Sequence, residues 1–511
     1  MNNTLFSKYL GEILFTVFLI IGINSFTQYG IAWDEPQQRL TGLVNYDYIM
    51  NINDQLLTWQ DRDYGVAIEL PLIALEKLLG LNSTREIFVA RHLFTHILFL
   101  IGALFFYKLA FQIFKNEWIS ALGFLLIVSQ PLLYGHSFFN SKDLPFLSVF
   151  IISLHQTAIY FKHKNILNTL ILGVLIGVLM NIRLMGVMVP MVVITFMVLD
   201  SILYKRIYQH LAHIILLLII SLSTLIFTWP FLWSNPIENF QFAFENMSKF
   251  RFDREMLFLG EFILPTEIKW YYIPVWFSIT NPIIYLFAGV IGLATFAFHF
   301  VKSPLTFIFN TKNRNILFAT IFFTVPVLAI IVLKSVLYDS WRQMFFIYPP
   351  FVILILHGVF QLKTISKKGH YAAIGLITLS IIQMGWFIQS NFPLEHNFFN
   401  ELISYQKSNY AIKNFENDYW GLSYKPGFEY ILKIDNSTDI NVAVQNMPGY
   451  LNEDMLSVSG ENRIHTKTII EADYFLTEYR FHSFAPDSLE QYKYHAIIVS
   501  NSTVLQIYKL K

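Results

Sequence analysis

Stretches of about 17 to 25 mostly apolar residues, separated by short polar turns, recur through the first three quarters of the chain. Each is long enough to cross a bilayer as a helix. The pattern predicts about eleven spans, near residues 10–30, 88–112, 118–134, 144–161, 166–181, 184–203, 211–229, 282–301, 316–334, 343–361 and 371–388. Two long connections interrupt them. In the first, 31–87, apolar positions recur at helical spacing from Pro36 to Met50 and from Tyr64 to Leu79 (Val66, Ile68, Leu70, Ile73), which predicts amphipathic helices on a membrane surface. In the second, 230–281, Pro236 starts a helix with Phe240, Phe242, Phe244, Met247 and Phe250 along it. A flexible stretch with Arg251, Asp253, Gly260 and Pro265 follows, and then an interfacial aromatic band of Trp270, Tyr271, Tyr272 and Trp276. After about residue 389 the periodicity changes. NFENDYWGLSYKPGFEYILK reads as a turn and a helix, while INVAVQNM, ADYFLTEYRF, YHAIIVS and TVLQIYKL alternate as strands, the last two joined at Asn501-Ser502. The fold class is therefore mainly α. It is a polytopic transmembrane bundle over 1–388 with a small soluble α/β domain over 389–511.

Composition supports that class. The 511 residues are 55% hydrophobic and 14% charged, with 50 Phe, and helices are the only sensible spanning element for such a chain. The net charge of +1 gives no sign of a nucleic-acid partner. Cysteine is absent, which removes disulfides and thiolate chemistry. Lys8, Lys115, Lys162, Lys164, Lys205, Arg206, Lys302, Lys312, Arg314, Lys363, Lys367 and Lys368 fall in one alternating set of loops. That set is expected to be cytoplasmic, with the N-terminus on the same side as an uncleaved first span. The other loops and the C-terminal tail then lie outside, in a cytoplasmic (inner) membrane.

Four segments on that outer side carry polar groups that a membrane protein rarely places without use. The first is Trp33-Asp34-Glu35, just after the first span. The second, Tyr134 to Asp143, holds His136, Asn140, Lys142 and Asp143. The third is Asn181-Ile182-Arg183. The fourth is Tyr338-Asp339-Ser340-Trp341-Arg342, where a late span begins. Arg91 and His92 lie near the same level. Acids and cations mixed at a water–lipid boundary suit a substrate with its tail in the bilayer and its phosphate at the surface. Arg offers phosphate a planar fork and Lys a point charge. A carboxylate serves as base toward an attacking hydroxyl or amine, and the leaving phosphate needs its charge neutralised by cations or a metal.

WDE, HSFFNSKD, YDSWRQMFFIYPP and, in the tail, FENDYWGLSYK follow one another in an order that resembles the GT-C superfamily of membrane glycosyltransferases. The likeness is to bacterial relatives of protein O-mannosyltransferases and of lipid A aminoarabinose transferases, and in layout it covers nearly the whole chain. The resemblance implies a polyprenyl-phosphate sugar as donor and inversion at the sugar. It makes Asp34 the base, Glu35 its support and Asp143 a second acid. Arg342 would bind donor phosphate, with Lys142, Arg183 and Arg91 as further phosphate ligands and His136, Asn140, Asp339 and Tyr338 as neighbours. A divalent metal stays open, with Asp143, Glu35 and His136 as its candidate ligands. The acceptor, whether lipid, glycan or protein, is not specified, and membrane lipids are the remaining partner.

Each residue also has a plainer reading. Asp34 and Glu35 suit a helix N-terminus, Asp143 starts a helix before Pro145, and Lys142 and Arg342 are placed to snorkel. Arg183 can pair with a structural carboxylate, and Tyr419 and Trp420 read as core of the small domain. A lipid-linked glycan transporter would explain spans and buried charges equally, but should place its charges near the midplane within repeated halves. A glycan polymerase or ligase belongs to the same broad architecture. A scaffold whose tail recruits a partner leaves the acidic and basic turns unexplained.

Overall fold

A computed structural model describes residues 9–205, 207–248, 254–457, 460, 462–481 and 487–511. Among these, nine helices are long and apolar enough to cross a membrane, and ten if the bent pair Glu117–Val128 and Pro131–Phe139 counts as one. The remaining expected span, 166–181, is a 17-residue helix, Ile166–Ile182, shorter than the others. Local chemistry starts these helices where the pattern does. Ser83 and Glu86 form a capping box ahead of Thr84–Phe114, and Asn116 and Asn165 cap the helices after them.

The expected continuous span 118–134 instead bends by 64° at its middle. Pro131 has no N–H to continue the first helix. Gln130 accepts from the Leu133 amide at 2.8 Å and donates to the Thr280 carbonyl at 3.0 Å, so the break is anchored on both sides. The second half carries Tyr134 and His136 under the bundle end.

Asp143–Lys162 and Arg342–Ile365 form the centre, each 83% buried along its apolar window, whereas the peripheral helices leave most of theirs outward. Both central elements begin with a charged residue at the same end of the bundle. Ile283–Lys302 and Tyr348–Ile365 cross where Gly292 meets Gly358, and a Cβ on Gly292 would lie 1.9 Å from the Leu354 carbonyl oxygen. Only paired glycines allow that approach. At the opposite end, about 30 Å away along Asp143–Lys162, Arg314 makes a fork of 3.0 and 2.8 Å to Asp200, which Lys164 also reaches at 2.6 Å.

In the first connection, Glu35–Ile49 is the expected helix, but the second runs only over Glu69–Leu79. Residues 64–68 form a bend and turn rather than helix; Asn181 accepts from the Ala67 amide at 2.9 Å and its carbonyl presses on Gly65, where any Cβ would clash. In the second connection, Pro236–Ser248 is helical as expected. The expected flexible stretch contains a hairpin of β1 (Met256–Phe258) and β2 (Glu261–Ile263), while Arg251 and Asp253 lie outside the described residues. Trp276, expected at the interface, is 2% exposed in an aromatic cluster with Phe415, and Trp270 alone of the two tryptophans stays open at 66%.

The tail holds a five-stranded sheet of β3 (Ile440–Val444), β4 (Ile464–Thr466), β5 (Tyr474–Thr477), β6 (Lys493–Val499) and β7 (Ser502–Lys509), in the order β4-β3-β5-β7-β6. β3 runs parallel to β4 and β5, while β7 is antiparallel to β5 and β6. Ser500 and Asn501, both with positive φ, make the tight β6–β7 turn. β4, at three residues, is too short for its alternation to show. Helix Tyr424–Ile434 buries Tyr424, Phe428 and Ile431 on the sheet. Two contacts join this unit to the exit of the first span. Lys425 donates to the Thr27 and Gln28 carbonyls at 3.0 and 2.8 Å, and Asn452 bonds both the amide and carbonyl of Ile31 at 2.9 and 3.0 Å.

Breaking the far ion pair from one side should lower stability. Asp200→Leu leaves the buried Arg314 without its fork and is expected to lose about 3–5 kcal/mol, read as a drop in the unfolding midpoint in detergent. Asp200→Leu with Arg314→Met should recover most of that loss.

Candidate active site

Three carboxylates from distant segments meet at one guanidinium. Arg342, 2% exposed, lies 3.0 Å from Asp339, 3.2 Å from Asp34 and 3.3 Å from Asp143. Its guanidinium carbon also lies 4.8 Å from the ring centres of both Tyr338 and Trp420. Local backbone explains the convergence. Asp339 and Ser340 both have positive φ, at 55° and 67°, a conformation that non-glycine residues adopt rarely and that turns Asp339 back onto Arg342. Asp143 is fixed by Asn140, whose amide donates to its carboxylate at 2.9 Å and whose carbonyl accepts from the Asp143 backbone N–H at 2.8 Å. Asp34 stands at the N-cap of Glu35–Ile49, yet its side chain caps nothing.

More cations surround this core. Arg183 bonds directly to Asp143, and Arg480 donates to Asp339 at 2.9 Å. Arg480 also stacks on Trp33 and Phe481 at 4.9 and 4.8 Å and donates to the Tyr419 carbonyl. The Lys142 ammonium lies 3.3 Å from the ring centre of Tyr64. Burial, reinforced by the neighbouring Arg183, brings the Lys142 amine down to about 7. Burial lifts the Tyr338 phenol to about 12 and moves the Tyr64 phenol higher still. Glu416 is held up to about 8, first by burial and then by repulsion from Asp339, so it is mostly neutral at pH 7. Arg342, Arg183, Arg480 and Lys142 then face Asp34, Asp143 and Asp339, an excess of positive charge suited to an anion. Among the three carboxylates only Asp34 is open, its side chain 35% exposed against 2% for Asp143 and 5% for Asp339.

Several expected residues stand elsewhere. Glu35 does not join Asp34. It is buried, accepts the Ala32 amide at 2.8 Å and meets His92 at 3.1 Å, so it closes its own helix turn. Arg91 is spent on Glu69, which also accepts from Ser141 at 2.7 Å beside Lys142, so it braces the Lys142 turn from behind. His136 faces Asn140 at 3.1 Å and the Tyr419 hydroxyl at 3.3 Å, within a cage of Phe139, Phe345 and Trp420. Among the described residues no three His, Cys, Asp or Glu gather to hold a metal. Glu35 and His136 are turned to other partners, and the guanidinium of Arg342 fills the place between the carboxylates. Tyr419 and Trp420 are core residues, but of the junction between tail and bundle rather than of the sheet.

Arg480, Tyr64 and Glu416 were not anticipated. Arg480 sits in what reads as a strand, but β5 ends at Thr477, and Tyr479 and Phe481 take positive φ around it. An Arg between two aromatics was the only signal.

Residues 79–227 match the profile of a family described as dolichyl-phosphate-mannose-protein mannosyltransferase. Among solved structures, ArnT from Cupriavidus metallidurans bound to undecaprenyl phosphate superposes over 98% of this chain and 98% of its own, with a TM-score of 0.52 at 10% identity. The chain has the GT-C membrane glycosyltransferase fold. The chain is a multi-pass membrane protein. The apo oligosaccharyltransferase of Archaeoglobus fulgidus matches 92% of it at 11% identity with a TM-score of 0.51, and the chain spans 66% of the length of that enzyme. Comparison with curated proteins finds no match.

The adjacent acids should separate experimentally. Glu35→Ala leaves His92 and the Ala32 amide unpaired in a buried place and is expected to destabilise the protein by about 1–3 kcal/mol. Asp34→Asn, at a half-buried position whose partner Arg342 keeps two other carboxylates, should change stability by less than about 1 kcal/mol. Thermal unfolding of both variants in one detergent makes the comparison.

Proposed function

We propose that this chain is a glycosyltransferase that moves a sugar from a polyprenyl-phosphate donor to an acceptor hydroxyl or amine at the outer face of the cytoplasmic membrane. The observation that carries it is the half-buried, solvent-reaching Asp34 beside a buried, cation-rich cluster at one end of a GT-C bundle. In this reading residues 1–388 form the catalytic module, and 389–511 an extracytoplasmic domain that closes the site. The crowding of basic residues into the loops at the other bundle end supports that orientation.

The steps follow from the geometry. The donor phosphate lies against Arg342, Arg183 and Lys142. Asp34 accepts the acceptor proton as the oxygen or nitrogen bonds to the anomeric carbon. The bond from that carbon to the phosphate oxygen breaks, and polyprenyl phosphate leaves with the electron pair while the cations hold its charge. Asp143 and Asp339 fix the guanidinium, so it needs no reorganisation when charge develops. A single displacement inverts the anomeric configuration.

Asp34→Asn should lower turnover by about 10²–10⁴-fold while polyprenyl phosphate still binds. Full turnover in that variant, or a product of retained configuration, would overturn the mechanism. The donor is a phosphodiester of constant charge, so the pH dependence of its binding reports the protein. Lys142 is charged below about pH 7 and neutral above it. Affinity for the donor should therefore fall as pH rises from 6 to 8, and Lys142→Arg should flatten that slope, both read by equilibrium binding in nanodiscs.

A further inference from the structure

The span Ile207–Thr228 ends at the same side of the bundle as the Arg342 cluster, because the Asn181 amide, two residues before Arg183, donates to the Thr228 hydroxyl at 2.8 Å. Beyond it, Pro230–Leu232 and the helix Pro236–Ser248 fold against the 57–62 segment of the first connection and leave an open cavity of about 400 Å³ between them. That size lies in the range of natural ligand sites. Phe231 and Phe242 line it with ring centres 6.1 Å apart, and the Arg62 guanidinium lies 5.9 and 5.0 Å from them.

The polar groups of the wall are unmatched. Arg62 donates to the Trp59 carbonyl at 3.1 Å but meets no carboxylate among the described residues. Glu238 lines the same cavity, yet pairs neither with Arg62 nor with any other described residue. Asn239 spends its amide on the Phe231 carbonyl at 2.6 Å and the Ser234 hydroxyl at 3.1 Å. Its own carbonyl is left to accept, and the Ser234 O–H to donate. The wall therefore offers a guanidinium and a hydroxyl to an anion, and a carboxylate and an amide carbonyl to a cation that carries N–H bonds. A phosphate joined to a primary ammonium satisfies both sets. Phosphate without the ammonium would face Glu238 uncompensated, and a quaternary ammonium has no N–H to give.

The surroundings of the mouth are those of a lipid site. Phe227, in the last turn of the span, is 78% exposed, and Ile237, at the start of the covering helix, 83%. Trp233 between them is open too, with its indole N–H tied to the Ile226 carbonyl at 2.8 Å, an aromatic anchor at headgroup depth. Acyl chains can run along Phe227 while the headgroup turns into the cavity.

We propose that this cavity binds the headgroup of a membrane phospholipid of the ethanolamine class, with its phosphate on Arg62 and Ser234 and its ammonium on Glu238 and Asn239. The site shares no residue with the Arg342 cluster and does not rest on the transferase reading. Its occupant is a resident lipid rather than a reactant.

The test titrates the full chain in detergent with phosphatidylethanolamine, phosphatidylcholine and phosphatidylglycerol of identical acyl chains, and with water-soluble glycerophosphoethanolamine, and reads bound ligand by native mass spectrometry. Wild type should bind phosphatidylethanolamine saturably and at least about tenfold more tightly than the other two lipids. Glu238→Gln, at an exposed position, should abolish the preference over phosphatidylglycerol. Arg62→Gln should weaken both of these lipids at least about tenfold. If Arg62→Gln has lost its cooperative unfolding transition, Glu238→Gln decides alone. Equal binding of the three lipids by wild type, or an intact preference in Glu238→Gln, overturns the proposal. Glycerophosphoethanolamine binding as tightly as the lipid would overturn the lipid as occupant.

Discussion

A permanently charged guanidinium buried in a membrane-protein core is tolerable only when its charge is met from several sides. Arg342 meets that condition with carboxylates from the exit of the first span, the start of a central helix and its own preceding turn. Two aromatic rings, Tyr338 and Trp420, pack against it as well. Much else can be read as support for this centre. The left-handed pair at Asp339 and Ser340, the Asn140 clamp on Asp143, the Arg183 and Arg480 flanks and the stacking of Trp420 all hold one cation in place.

That arrangement gives the acids different tasks from one shared partner. Asp143 and Asp339 are enclosed and doubly paired, so they act as fixed charge. Asp34 is paired once and open to solvent. In the proposed reaction the base must exchange protons with what arrives from outside, and Asp34 is the member most open to it.

Much of this was legible in the residues. Long apolar runs located the spans because helix length and bilayer thickness are commensurate. Asp34, Asp143, Asp339, Arg183 and Arg342 stood out because charges beside apolar runs are rare, and the fold brings these five together. Glu35 was misplaced through its adjacency to Asp34. Successive helical residues point about 100° apart, so neighbours in sequence at a helix start seldom share a site. Arg480 was invisible for another reason. It reaches Asp339 across 141 positions, from a turn whose positive φ angles no local pattern announces. The bend at Pro131 was available from proline chemistry, but an apolar run on both sides masked it.

The order in which a ribosome releases this chain gives the tail contacts another meaning. Lys425 closes on the carbonyls of Thr27 and Gln28, Asn452 brackets Ile31, and Arg480 completes the charge balance at Asp339. The exit of helix Leu10–Ser25 is therefore completed only by residues made about 400 positions later. Until they arrive, the spans are inserted but Asp339 lacks one of its cations and Trp33 its stacking partner. A chain stopped before these residues would sit in the membrane as a bundle with an unfinished charge cluster.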